Sequence, residues 1–148
     1  MPKAANKTRV SSPQAVALDP SFHKGKFNLN RAKDSQFQGG LRKYFEYRDL
    51  GMAAATQGKV MAQVIRAKGP CLESGDRHYH VLDFQMVYVL KGWSRTYFEG
   101  IGELRMEAGD CMYQQPGIRH QVLEYSDDYE VIEITVPADF ETHTVEPN

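Results

Sequence analysis

The stretch GDRHYHVLDFQMVYVLKG, residues 75–92, decides how the rest of the chain is read. His78 and His80 are separated by one residue, and on a strand that spacing puts both imidazoles on one face, about 7 Å apart. Neutral imidazoles converging from neighbouring positions are what a divalent metal requires. In the run FQMVYVL that follows, Phe84, Met86, Tyr88 and Leu90 point one way and Gln85, Val87 and Val89 the other. Both faces are apolar, so both are expected to be buried. A barrel interior covers one of them. A second sheet, an N-terminal arm or a second copy of the chain covers the other, and the reading adopted is a homodimer.

Working outward, residues 41–140 read as short strands rich in Val, Ile, Tyr and Phe, punctuated by Gly, Pro and Asp. The expected strands are 42–47, 59–67, 77–81, 84–90, 94–98, 103–106, 110–113, 120–125 and 129–136. Lys91-Gly92, Glu99-Gly100-Ile101-Gly102 and Asp127-Asp128 read as turns between strand pairs. One or two helical turns at most are expected near residues 50–55. Many short strands with no helices between them indicate an all-β sandwich or barrel. Residues 1–40 are polar and weakly periodic and read as an irregular arm, and 141–148 as a C-terminal tail.

A second cluster of signals lies at GDCMYQQPGIRH, residues 109–120, where Gly109, Pro116-Gly117 and His120 follow in order. Together the two segments resemble the cupin superfamily. Its first motif is H-x-H, three or four residues, Glu, six residues, Gly; its second is Gly, a short run, a Pro/Gly turn and His. The resemblance covers about residues 60–137. It departs from the family pattern in four places: Gln85 stands where the family has Glu, Pro116-Gly117 is contracted, Glu124 replaces a frequent Asn, and the leading Gly of the first motif is displaced. The resemblance implies a double-stranded β-helix (a jelly-roll barrel) with one divalent metal inside it. It also implies that His78, His80 and His120 are ligands and that Gln85 is the fourth.

The amide oxygen of Gln85 would neutralise none of the metal's charge. An anionic or chelating small molecule is therefore expected at the open positions. Three imidazoles and one neutral oxygen suit Mn or Fe first, with Ni, Co or Zn as alternatives. Because Gln85 cannot serve as a base, a proton-transferring enzyme needs another group. Glu124 and Val122 share the strand parity of His120, Glu133 interrupts an apolar strand, and Tyr113 could line the cavity; these are the candidate catalytic residues Glu124, Glu133 and Tyr113. Tyr88, Arg95 and Tyr97 are further candidates for the cavity lining.

Within the family, three His plus a fourth ligand resemble dioxygenases that cleave flavonols or diketones. An isomerase or lyase, and a non-catalytic binding barrel, are the alternatives. The net charge of −1 gives no electrostatic argument for nucleic acid or an anionic membrane surface. No apolar run is long enough to span a bilayer, and the N-terminus is a poor signal peptide, so cytoplasmic residence is expected. Cys71 and Cys111 are read as free thiols and small buried hydrophobes.

Overall fold

A computed structural model describes residues 17–146. Residues 1–16 of the expected arm and 147–148 of the expected tail lie outside the described residues. The strands are β1 (Phe45–Asp49), β2 (Met61–Ala67), β3 (His78–Val81), β4 (Phe84–Lys91), β5 (Trp93–Phe98), β6 (Gly102–Glu107), β7 (Cys111–Tyr113), β8 (His120–Tyr125), β9 (Glu130–Val136) and β10 (Glu141–Thr144). A single helical turn, α1 (Met52–Ala55), follows β1. The strands form two antiparallel five-stranded sheets, in the orders β1-β2-β9-β4-β7 and β10-β3-β8-β5-β6. Except for β1–β2 and β5–β6, consecutive strands lie in opposite sheets. The chain therefore winds back and forth across the barrel, as a double-stranded β-helix does.

This winding corrects two of the three turns expected from sequence. Glu99–Gly102 does close a hairpin, since Phe98 pairs with Gly102. Lys91-Gly92 and Asp127-Asp128 instead carry the chain from one sheet to the other, at corners that touch. The Trp93 and Ser126 backbones meet there, with Ser126 N donating to Trp93 O at 2.9 Å and Trp93 N to Ser126 Oγ at 2.9 Å. Gly92 has φ +67°, and a Cβ on it would collide with Ser126 Oγ, so the corner requires glycine. Local residues signal that the chain bends; the sheet it joins next is fixed by long-range packing.

One half of the interior is filled by Phe45, Ile65, Val87, Val89, Met106, Tyr125, Tyr129 and Val131, drawn from both sheets. On β4 the inward residues Gln85, Val87 and Val89 are buried, as the alternation requires. The opposite face was expected to be buried too, but Phe84, Tyr88 and Leu90 are 37%, 39% and 37% exposed. Among the described residues that side is only partly covered.

The described part of the arm, residues 17–40, runs along β1 and α1 of its own barrel. Gln38 and Tyr47 exchange backbone bonds of 2.8 Å, and Lys26 N donates to Ala55 O at 2.9 Å. The expected tail contains strand β10, which pairs with β3 over Glu141↔Val81, Thr142↔His80, His143↔Tyr79 and Thr144↔His78. Four polar residues carry too little periodicity to announce a strand; pairing with β3 defines it. In contrast, β3 and β8 share a single registered pair, His78↔His120. Both cysteines are unpaired, but Cys111 is exposed rather than a buried hydrophobe. Among the described residues, no helix is long and apolar enough to cross a membrane.

Candidate metal centre and cavity

The other half of the interior is a cavity of about 350 Å³ between the sheets. His78 and His80 enter it from β3 and His120 from β8, and one ring nitrogen of each lies within 4.8 Å of the others. All three are buried. Their second nitrogens are held by the protein. His78 Nδ1 lies 2.7 Å from Asp76 O, and His120 Nδ1 lies 2.9 Å from Ile118 O. A carbonyl only accepts, so both Nδ1 atoms carry the proton and both Nε2 atoms are left as acceptors, that of His120 lying 3.3 Å from Gln114 Nε2. His80 Nδ1 is 2.8 Å from Thr142 Oγ1, on the strand that the sequence reading left as tail.

Burial, reinforced by the His120 ring, pushes His78 down to about 4. Burial, with His120 and His78 adding to it, pushes His80 down to about 3. Burial also lowers His120. The rings are therefore neutral at physiological pH, the form that ligates. Three neutral imidazoles this close, with two tautomers already set, fit a divalent transition metal whose bonds to nitrogen are about 2.1 Å. Three buried histidines that could hold one ion are what the structure brings together.

The second sheet supplies a different set. Gln63 (β2), Gln85 (β4) and Glu133 (β9) line the same cavity. Gln85 Nε2 donates to Glu133 Oε2 at 2.9 Å, and Gln63 Nε2 donates to Glu133 Oε1 at 3.0 Å. Burial raises the Glu133 pKa, and the two amide donors work against that rise. The oxygen of Gln85 accepts from Gln114 Nε2 at 3.0 Å. That same Gln114 nitrogen lies 3.3 Å from His120 Nε2. An N–H donor thus bridges His120 Nε2 and Gln85 Oε1, atoms of two residues expected from sequence to hold a metal.

Two of the three catalytic candidates lie elsewhere. Glu124 is exposed and pairs with Arg95 (3.3 Å), which also pairs with Glu103 (2.9 Å). The cause is a bulge: Thr96 pairs with Val122 and Arg95 with Glu124, leaving Leu123 unmatched. Parity flips at that point, so Tyr125 takes the inward place that plain alternation gave to Glu124. Tyr113 is 59% exposed and packs on Phe84 at 5.7 Å between ring centres, while Met112 and Gln114 on either side face the cavity. Tyr88 and Arg95 also face outward, and Tyr97 lies under the Arg77 guanidinium (4.5 Å) on the outer face. Glu133 alone of the three is in the cavity. The sequence reading missed Gln114, Gln63, Tyr47, Phe140 and Arg42. Arg42 and Gln114 sit outside regular strands, where parity says nothing.

No protein-family model matches the chain, and no curated protein sequence matches it. Solved structures do. A sugar phosphate isomerase from a cupin superfamily, from Silicibacter pomeroyi, superposes with TM-score 0.65 at 17% identity, over 81% of this chain and 83% of its own. The chain has the cupin fold. KdgF from Halomonas sp. gives TM-score 0.60 at 19% identity over 74% of this chain and 94% of that one. The polyketide cyclase RemF from Streptomyces resistomycificus gives 0.65 at 13% identity over 83% and 88%. At such identities the likeness is one of cupin architecture, and a cupin barrel hosts many chemistries.

Proposed function

We propose that this cupin is a metal-dependent enzyme that moves a proton on a small chelating or anionic substrate, in the manner of an isomerase or lyase. The observation that carries the reading is Glu133: a carboxylate held by two amides, in the cavity where one ring nitrogen from each of three histidines converges. His78, His80 and His120 would hold the ion, with Mn or Fe preferred. Gln85 would add its oxygen once Gln114 swings aside. The ion would supply Lewis acidity to substrate oxygens. Glu133 exchanges a proton between its carboxylate and a substrate carbon or oxygen, and its raised pKa brings it towards neutrality. Gln63 and Gln85 fix the carboxylate while each of its oxygens keeps a lone pair. The isomerase and cyclase named among the fold neighbours are compatible with this chemistry.

A dioxygenase is the second reading, favoured by the apolar lining of Val87, Phe98, Met112, Val122 and Phe140. Elemental analysis, oxygen uptake and solvent deuterium exchange, run on a panel of hydroxy acids, sugar acids and diketones, separate the two. Stoichiometric metal and deuterium exchange without oxygen uptake support proton transfer. Substrate-dependent oxygen uptake that survives Glu133→Gln selects the dioxygenase. Absence of metal overturns both. We further propose a homodimer through the outer face of β4, on the strength of its exposed Phe84, Tyr88 and Leu90; light scattering that finds only monomer refutes it.

A further inference from the structure

Arg42 enters the cavity just after the arm, and its placement is over-determined. Its backbone N–H donates to Tyr47 Oη at 3.1 Å, and its carbonyl accepts from Phe45 N at 3.2 Å. Two residues earlier the chain passes so close to the Tyr47 ring that a Cβ on Gly40 would lie within it. The Gln38–Tyr47 bridge fixes the same segment from the other side.

The guanidinium itself is incomplete. Arg42 Nη2 has no exposed surface and, among the described residues, no hydrogen-bond partner. Arg42 takes part in none of the ion pairs among the described residues. The one carboxylate lining the cavity, Glu133, is engaged by Gln63 and Gln85 instead. A buried charged donor left without an acceptor is costly, and such sites normally have a ligand to satisfy them. Arg42 lines the same cavity as His78, His80 and His120. Its planar fork matches the paired oxygens of a carboxylate or phosphate.

We propose that Arg42 is the docking point for an oxyanion of the substrate, a carboxylate or phosphate group carried at the end of the molecule away from the atoms that reach the three-histidine centre. This rests on the reading of the cavity as the substrate site. It adds that the substrate is bipolar in its contacts: an anionic handle on Arg42 and a reacting end between Glu133 and the histidines. A volume of about 350 Å³ restricts such a substrate to the small end of metabolite size.

The test uses the full chain stripped of metal, titrated separately with inorganic phosphate and with succinate. Binding is followed by calorimetry and by the Arg Nε–H resonances of nitrogen-labelled protein. Saturable binding of one anion, a shift of the Arg42 resonance and at least tenfold weaker binding in Arg42→Met are expected. The preferred anion identifies the handle. Undiminished binding in Arg42→Met, or no binding of either anion to the wild type, overturns the proposal. Should Arg42→Met not fold, Arg42→Lys keeps the charge and loses the fork; binding at least threefold weaker is expected, and unchanged binding overturns the proposal. Because the titration is done without metal, a wild-type protein that never loads an ion would defeat the functional reading and leave the Arg42 result standing.

Discussion

The two walls of the cavity solve the problem of buried polar groups in opposite ways. On the β3–β8 wall each imidazole holds one nitrogen against the protein while ring nitrogens of all three converge, that of His120 within 3.3 Å of Gln114 Nε2. On the β2–β9–β4 wall Gln63, Glu133, Gln85 and Gln114 satisfy one another in a continuous chain. The first wall is open-ended by design and asks for a ligand. The second is self-sufficient and holds one carboxylate in a fixed place. Under the proposed function the histidines bind and the carboxylate reacts, and Gln114 links the two sets.

The largest effect should come from breaking the first wall. His120→Ala or His78→Ala should weaken metal binding roughly a hundredfold or more while the barrel stays folded. Full metal content by elemental analysis in either variant would end the ligand assignment. On the second wall, Glu133→Gln should cost about 10²–10⁴-fold in turnover with metal content unchanged. Its effect on stability has the opposite sign. A carboxyl whose folded pKa is raised is destabilising once pH climbs above its unfolded value of 4.5. The metal-free variant should therefore melt at or above the wild-type temperature at pH 8; a clear fall would mean that the charge of Glu133 is structural.

Acid provides a third contrast. All three rings resist protonation in the fold, whereas unfolded histidine accepts a proton near 6.5. Stability of the metal-free protein is thus complete above pH 6.5 and falls as pH drops from there towards about 4, where the folded His78 begins to accept a proton. Urea midpoints at pH 7.5, 6 and 5 read this directly, and a flat series would contradict the burial of the rings. The smallest effect belongs outside both walls. Arg95→Ala or Glu124→Ala should change stability by less than about 1 kcal/mol and leave metal and turnover untouched.

The triad was legible because its information is local: a one-residue spacing on a strand and a glycine-marked second segment ending at His120. The same alternation placed Gln85 inward correctly. It failed at Glu124 because one unpaired residue, Leu123, resets parity, and nothing in HQVLEY marks a bulge. Tyr113 failed because a three-residue strand offers no period to read. Arg42 and Gln114 reach the cavity from segments whose course depends on the whole barrel. Strand β10 was missed for a related reason, since the partner that defines it lies more than fifty residues earlier in the chain.

The thin seam between β3 and β8 has a mechanical consequence. β10 and β3 form a ribbon of four registered pairs, joined to the rest of its sheet by the lone pair His78↔His120, with Gly75 N to Val122 O and Gly117 N to His80 O as loop contacts beside it. Two of the three histidines ride on that ribbon and the third sits on the sheet it must meet. An ion shared among them would tie that ribbon to its sheet where the backbone pairing is thinnest.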